Sequence, residues 1–223
     1  MTDNHIFLGV NFNKNLSWAN QMLRIKSKLQ ASVGIASKIR FQITPEVAIN
    51  LFHTMILSYL RYCNLTWCYG NFTLRSKLQA QSNKFLRNGF RLDRRASVQY
   101  LMDIYCLPSL NSLNFEILAT TMHKIILGEY PAQFLSFFSP SQQRYETSTS
   151  TLHPFNPTFH RYETTKQSLS HRACKVWNSI PENFKFSRPQ HGLNQDLVMR
   201  KTPSFKAGLQ LYINSMLLIS PSF

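Results

Sequence analysis

The chain has 223 residues, of which 43% are hydrophobic, so it can bury one ordinary core or a core with a small appendage. Its 25 Lys and Arg against 10 Asp and Glu give a formal net charge of +15. A domain this basic repels itself unless a polyanion or an anionic surface offsets the charge. Composition therefore excludes a disordered acidic tail and makes nucleic acid the leading class of partner.

The positive charge is concentrated in the first half of the chain. Residues 4–92 contain twelve Lys or Arg and a single carboxylate, Glu46, while the other acids are Asp3 and residues from Asp93 onward. An ordinary exposed helix mixes both signs, since opposite charges four residues apart stabilise it. The imbalance favours contact with phosphates, although a solvated basic face that keeps helices soluble remains open.

No secreted or membrane-bound character is expected. The four cysteines, Cys63, Cys68, Cys106 and Cys174, are too few and too widely spaced for a disulfide framework, and no signal peptide precedes them. The apolar run over residues 47–60 is shorter than the ~20 residues that span a bilayer, so we predict no transmembrane helix. We expect a reducing compartment, the nucleus or the cytoplasm.

Cys63 and Cys68 have the spacing C-x4-C, which suggests zinc only if two further ligands exist at comparable spacing. Cys106 and Cys174 lack such a partner residue. We therefore interpret the pair as small buried hydrophobes near a helix end, and we predict no metal site and no cofactor.

The predicted elements begin with a half-buried strand, because Ile6, Leu8, Val10 and Phe12 alternate with more polar positions. A helix is predicted to follow from Ser17, a suitable N-cap. One apolar stripe along it recurs at steps of three and four: Trp18, Met22, Ile25, Leu29, Val33 and Ala36.

Thr44, Pro45 and Glu46 form a helix start, with Pro at the first helical position and a carboxylate near the positive helix end. The predicted helix runs to about Tyr62 and is apolar nearly all round, which is typical of a central, buried helix. Residues 73–88 predict the most basic helix, ending at Gly89 as C-cap. Shorter helices are predicted from Ser97 through Tyr105 and from Ser109 to Gly128.

Residues 131–170 are rich in Ser, Thr, Pro and Tyr, which predicts a long extended connector. Its aromatic side chains either stack on single-stranded bases, together with Arg144, Arg161 and Lys166, or anchor the segment to the helices. These aromatics are Phe134, Phe137, Phe138, Tyr145, Phe155, Phe159 and Tyr162. A short helix ended by Pro181 and an amphipathic helix over residues 203–217 follow.

The sequence thus predicts a mainly α-helical protein in three parts. Residues 1–130 combine a short N-terminal strand with a bundle of four or five helices. Residues 131–170 are the connector, and residues 171–223 form a small helical C-terminal segment.

Five segments occur in an order and at spacings that resemble the region after the palm in jockey-like and related LINE-type reverse transcriptases. They are FLGVNFNKNLSW (7–18), LSYLRYCNLTW (57–67), LQAQSNKFLR (78–87), VWNSIP (176–181) and SFKAGLQLY (204–212). Each segment is weakly specific alone, but together they extend over nearly the whole chain.

The resemblance implies that the catalytic carboxylates, including an adjacent Asp pair, belong to a palm upstream of the FLG strand. Here Asp3 is the single acid before Glu46, so the chain is expected to begin just past that active site. Two-metal phosphoryl transfer needs clustered carboxylates, and the sequence has no adjacent or i,i+2 acid pair. We therefore predict no catalytic residue and no polymerase activity for this chain alone, whether it is a truncated copy or a non-functional remnant.

In such polymerases the part after the palm resembles a thumb, a helical bundle that holds primer–template duplex by its backbone. The expected partners are RNA and DNA, as a hybrid or a primer–template duplex, and the binding groups should be cations on phosphates. The candidate residues are Arg24, Lys26, Lys28, Arg75, Lys77, Lys84, Arg87, Arg91, Arg94 and Arg95.

Two other functions stay open. In the first, the N-terminal strand pairs with an edge strand of a palm domain supplied in trans, which exposed Leu8, Val10 and Trp18 would indicate. In the second, basic helices adhere to anionic membranes, which requires bulky apolar residues opposite the Lys and Arg. We expect no membrane partner.

Overall fold

The computed structural model describes residues 4–15, 17–138, 155, 168–187, 198–199 and 202–219. This part of the chain is mainly helical with a short two-stranded N-terminal sheet, which confirms the predicted mainly α class. Two compact units are formed, Met1–Asn114 and Phe115–Phe223. No helix in the described ranges is long and apolar enough to cross a membrane.

The N-terminal segment is a hairpin and not the single strand predicted over residues 6–12. Strand β1 (Asn4–Phe7) pairs antiparallel with β2 (Val10–Asn13). Leu8 and Gly9 between them have φ of 46° and 76°, the signature of a type I′ hairpin turn. Leu rarely adopts this conformation, so the alternating apolar pattern concealed the turn.

The hairpin also changes which of the four predicted strand residues are buried. Val10 is buried and Phe12 is half-buried against Trp18, with ring centroids 5.2 Å apart. Ile6 and Leu8 are exposed. The predicted buried face therefore survives only in β2.

Helix α1 (Ala19–Ile39) buries the predicted apolar stripe. Its buried apolar residues are Met22, Ile25, Leu29, Val33 and Ala36. The predicted N-cap is wrong, because the N–H of Ser17 donates to Asn13 Oδ1 at 2.8 Å in the turn that follows β2. Trp18 occupies the N-cap position instead, with a φ of 56° and no side-chain cap.

The second long helix begins where Thr44 predicts. Helix α2 (Pro45–Phe52) continues through a π-helical turn (His53–Leu57) into α3 (Ser58–Arg61), and the Thr44 side chain accepts from the N–H of Val47. The prediction that this helix is buried on nearly all sides is wrong. Val47 and Tyr59 are exposed, because α1 and α5 cover one side of the helix. A single stripe is buried: Ala48, Phe52, Ile56, Leu57 and Leu60.

Helix α4 (Asn64–Trp67) is a single turn, and α5 (Phe72–Gly89) then packs along α1. The two helices run parallel. Gly70, just before α5, lies against Met22 near the start of α1, while Asn88 donates to Ser37 Oγ at 2.6 Å near both helix ends.

The end of α5 differs from the predicted glycine cap. Arg91 has a φ of 56°, and the N–H of Leu92 donates to the Arg87 carbonyl at 2.8 Å, as in a Schellman motif. Gly89 is the last helical residue, and a Cβ placed on it would lie 3.1 Å from the Ala48 Cβ. This glycine therefore permits the close approach of α5 to α2 and does not itself terminate the helix.

Large apolar side chains fill the core of the first unit. Phe52 and Phe85 lie with ring centroids 6.0 Å apart, and the fully buried Trp67 donates its Nε1–H to the Tyr62 carbonyl at 2.9 Å. Burial of each such side chain contributes about 1.5–3 kcal/mol. Apolar packing is therefore the main stabilising term in this unit.

Helices α6 (Gln99–Ile104) and α7 (Leu110–Ile126) follow α5. The Leu110 N–H donates to Gln79 Oε1 at 2.7 Å, which fixes the start of α7 against α5. The chain passes from the first unit to the second within α7, after Asn114, whereas the predicted boundary follows residue 130. The apolar residues of its later turns, Leu118, Ala119 and Met122, are buried, so they contribute to the core of the second unit.

The second unit has a 3-10 helix (Ala132–Phe137) and helices α8 (Leu169–Ser179), α9 (Glu182–Lys185) and α10 (Thr202–Ile219). Strands β3 (Phe186–Ser187) and β4 (Val198–Met199) pair antiparallel. Helix α8 confirms the helix predicted before Pro181, with the Ser168 side chain accepting from the His171 N–H. Helix α10 confirms the helix predicted over residues 203–217.

Stacked rings form the core of this unit. His123 of α7 stacks on Phe205 of α10 with ring centroids 4.0 Å apart, and the Trp177 ring lies 5.8 Å from Phe205. Lys185 is buried with its Nζ 5.2 Å from the Trp177 ring centroid. The cation is thereby accommodated on an aromatic face.

Most of the predicted connector, residues 139–154 and 156–167, lies outside the described residues. So do six of its predicted base-stacking residues, Arg144, Tyr145, Phe159, Arg161, Tyr162 and Lys166. Phe138 is buried, and its ring lies 6.1 Å from Phe155. For these two aromatics the packing favours the anchoring role, whereas Phe134 and Phe137 are exposed.

Burial separates the four cysteines into two pairs. Cys68 and Cys174 are buried, whereas Cys63 and Cys106 are exposed. The predicted burial is confirmed for Cys68 and wrong for Cys63, which precedes α4 in a left-handed conformation with a φ of 47°. Burial raises the pKa of the Cys174 thiol to about 11.

We expect iodoacetamide at pH 8 to modify Cys63 and Cys106 well before Cys174. The thiolate is the reacting form, and a thiol with a pKa of about 11 is only ~0.1% ionised at pH 8. Peptide mass mapping over a time course measures the rates, and the same reaction in denaturant should label Cys174 readily. Equal rates at Cys63 and Cys174 in the native protein would contradict the buried position.

Candidate nucleic-acid interface

A groove of about 500 Å³ lies between α1 and the π-helical turn of the second helix. Arg24 and Lys28 line the α1 side, and Thr54, Ser58 and Tyr59 line the opposite side. None of the lining residues is acidic. This groove, called the α1–π groove below, brings two of the predicted cations together, since residues four apart share one helix face.

The hairpin turn closes one end of the α1–π groove. Arg24 Nη1 donates to the Gly9 carbonyl at 3.1 Å, and the Tyr62 hydroxyl donates to the Leu8 carbonyl. These bonds hold Leu8 and Gly9 in their positive-φ conformation. A guanidinium has five N–H donors, so Arg24 retains donors for an anion in the groove.

The hydroxyl groups opposite the cations are already used as donors. Thr54 Oγ1 donates to the Asn50 carbonyl at 2.9 Å, and Ser58 Oγ donates to the Thr54 carbonyl at 2.5 Å. Each oxygen keeps acceptor capacity. The groove therefore has a donating, positively charged side and an accepting, neutral side.

A second set of cations follows the line where α1 and α5 run side by side. Asn88 of α5 and Ser37 of α1 are hydrogen-bonded across this line. Lys77 lies eleven residues, about three turns, before Asn88, and Lys26 lies eleven residues before Ser37. Because the helices are parallel, these two lysines are at the same level of the pair. Lys84, about two turns after Lys77, continues the row, and Lys26, Lys77 and Lys84 together are called the lysine seam.

Besides Arg24, three of the predicted arginines make structural hydrogen bonds. Arg75 donates to Asn111 Oδ1 and lies 5.6 Å from the Tyr69 ring centroid. Arg87 Nε donates to the Ala96 carbonyl at 2.7 Å.

Arg91 is the most extensively bonded of the three. Its guanidinium donates to the Arg40, Phe41 and Ile43 carbonyls at 2.9, 3.3 and 3.3 Å, which fixes the loop between α1 and α2.

Arg94 and Arg95 are exposed in a turn after α5 and belong to no helix. The Arg94 N–H donates to Asp93 Oδ1 at 2.6 Å, and Arg87 holds the end of this turn through Ala96. The ten predicted cations therefore do not form one continuous surface. Within the described residues, six of them make no side-chain hydrogen bond or ion pair: Lys26, Lys28, Lys77, Lys84, Arg94 and Arg95.

Glu46, the carboxylate among these cations, is engaged at a helix start. Its own backbone N–H and the Thr44 side chain hold the pKa of this carboxyl below its ordinary value. The charge thus complements the positive end of α2, as predicted.

Sequence reasoning identified the groove cations but missed the groove itself. Arg24 and Lys28 were found from charge and spacing, whereas Thr54, Ser58 and Tyr59 lie on a helix whose apolar residues suggested burial. A π-helical turn has no simple sequence signature. The run Thr54 to Ser58 does carry two hydroxyl residues in an apolar helix, and these were the available signal.

No protein-family model matches the chain, and comparisons with curated proteins and with solved structures found no match. Of the five segments on which the expectation of a reverse transcriptase rests, three lie in the first unit, from the hairpin turn through α5. The other two lie at the end of α8 and in α10. In the described ranges, no group of three His, Cys, Asp or Glu residues is placed to hold a metal ion.

We expect Arg91→Ala to lower the free energy of unfolding by about 1–2 kcal/mol, because three carbonyls lose a charged donor while alanine must keep a positive φ. Urea denaturation followed by circular dichroism measures the change. The matched control is Arg94→Ala, which should shift stability by less than about 0.5 kcal/mol. Equal denaturation midpoints for the two variants would show that Arg91 does not hold the loop.

Proposed function

We propose that the chain is the thumb-like, nucleic-acid-binding part of a reverse transcriptase of the non-LTR retrotransposon kind. In this role it holds RNA–DNA hybrid or primer–template duplex by the backbone phosphates. The lysine seam is the observation that carries the proposal. The five sequence segments that resemble LINE-type reverse transcriptases support it independently.

The lysine seam suits a phosphate backbone. Lys77 and Lys84 are seven residues apart, so they are separated by about 10.5 Å along α5. That distance corresponds to about three nucleotide steps of a B-form duplex, measured at 3.4 Å per step along the duplex axis. Lys26 on the parallel helix widens the row, which allows one strand to lie along it.

The two helices that carry the lysine seam contain no acidic residue that could neutralise it. Neither α1 nor α5 contains a carboxylate, so no opposite charge at i,i+4 stabilises these helices. A polyphosphate would offset the repulsion between the lysines and bind without regard to sequence. This property is what a polymerase thumb needs, since it must slide along every template.

Catalysis is assigned to another domain in this proposal. Two-metal phosphoryl transfer requires carboxylates that hold the metal ions about 3.5–4 Å apart. The sequence has no adjacent or i,i+2 acid pair to provide them. The chain contributes binding and positioning of nucleic acid, and polymerisation requires a palm.

We expect the triple variant Lys26→Gln, Lys77→Gln, Lys84→Gln to bind an RNA–DNA hybrid at least tenfold more weakly at moderate salt. Each phosphate contact contributes about 0.9 to the slope of log affinity against log salt, so that slope should fall by about 2–3. Fluorescence anisotropy with several unrelated hybrid sequences measures both quantities. The loss should be the same for every sequence, because phosphates carry no sequence information.

The matched control is Lys14→Gln, Lys38→Gln, Lys206→Gln, which removes the same charge from exposed positions outside the seam. It should weaken binding less than about threefold. Similar losses of affinity in the two triple variants would show that net charge alone explains the effect. A flat salt dependence of the unmodified protein would overturn the proposed phosphate contacts.

A second candidate function is docking onto a palm domain in trans through the hairpin. Ile6, Phe7 and Leu8 are 66%, 65% and 74% exposed, an unusual concentration of bare apolar surface. β1 is also an edge strand that can pair with another strand. Val10 is buried and Trp18 half-buried, so the apolar patch is limited to the outer strand and turn.

For this second candidate, we expect Ile6→Asn with Phe7→Asn to reduce co-purification with a separately expressed palm domain of a jockey-like reverse transcriptase. Polar side chains remove the apolar contact area while leaving the backbone of β1 intact. Phe72→Asn serves as the control, because Phe72 is 77% exposed outside the hairpin. Undiminished co-purification of the double variant would exclude the hairpin as the docking surface.

A further inference from the structure

The α1–π groove has features that a duplex backbone does not require. Tyr59 lines the groove and is 40% exposed, and within the described residues its ring stacks on no other ring. An exposed aromatic ring beside two cations is a common arrangement for binding an unpaired base. Bases inside a duplex are already stacked and cannot use such a ring.

The two sides of the groove match the two ends of a nucleotide. Arg24 and Lys28 donate from one side, which suits a phosphate. Thr54 and Ser58 line the groove and donate their own hydrogens to helix carbonyls, so their oxygens can act towards a ligand only as acceptors. Sugar hydroxyls and base amino groups are the donors that such oxygens accept from.

The size of the groove also suits a single nucleotide. Its volume of about 500 Å³ falls within the roughly 300–1,000 Å³ of small-ligand sites. The hairpin turn closes one end through the Arg24 and Tyr62 hydrogen bonds. A strand would therefore place one residue in the groove while its neighbours remain outside.

We infer that the α1–π groove binds one unpaired nucleotide of a nucleic-acid strand, with the phosphate on Arg24 and Lys28 and the base stacked on Tyr59. The inference rests on the proposed function, since it requires the chain to bind nucleic acid. It adds a single-strand site to the duplex contacts of the lysine seam. A duplex with a single-stranded overhang then engages both sites at once.

The test compares a blunt RNA–DNA hybrid with the same hybrid carrying a short single-stranded overhang. The overhang should raise the affinity of the unmodified protein about tenfold, as expected for one base on one aromatic ring. Tyr59→Ala should abolish this gain and leave blunt-hybrid affinity unchanged, whereas Tyr59→Phe should keep the gain. A 2-aminopurine in the overhang should lose fluorescence on binding, and Tyr59→Ala should prevent that loss.

Tyr100→Ala is the matched control, because Tyr100 is 71% exposed and does not line the groove. The Tyr100→Ala variant should bind both hybrids with the affinities of the unmodified protein and should show the same loss of 2-aminopurine fluorescence. If the blunt hybrid binds but the overhang adds nothing, or Tyr59→Ala keeps the full gain, the nucleotide site is overturned and the proposed function stands. If neither hybrid binds, the nucleotide site and the proposed function are both overturned.

Discussion

The packing of α1 against α5 is the constraint on which the rest of the first unit depends. Each apolar side chain buried along these helices, such as Leu29 and Phe85, contributes about 1.5–3 kcal/mol. Exposed like charges on the same helices cost only tenths of a kcal/mol per pair at physiological salt. Hydrophobic burial therefore exceeds the repulsion, and the fold tolerates a row of lysines without neutralising acids.

Arginine and lysine divide the basic residues between structure and surface. Arg75, Arg87 and Arg91 direct planar, multi-donor groups at an amide oxygen and at backbone carbonyls, a task for which a guanidinium is suited. The lysines on α1 and α5 remain hydrated point charges. Part of the +15 net charge therefore also holds loops in place.

Periodicity and capping chemistry predicted most of the fold. The buried stripe of α1, the Thr44 helix start and the helix before Pro181 follow from local rules. The hairpin at Leu8 and the helix end at Arg91 were missed, because tertiary hydrogen bonds hold non-glycine residues at positive φ. The groove cations were predictable from charge, but their hydroxyl and tyrosine neighbours depend on how α1 packs against the helix that follows it.

The π-helical turn at His53–Leu57 sets the rotation of the side chains on one side of the groove. Such a turn accommodates one residue more than a regular α-helix at the same place. If the same residues were wound as a regular α-helix, everything after the turn would be rotated by about 100° relative to α2. Tyr59 would then leave the groove and the buried Leu60 would leave the core, so the extra residue in this turn places the groove and core side chains together.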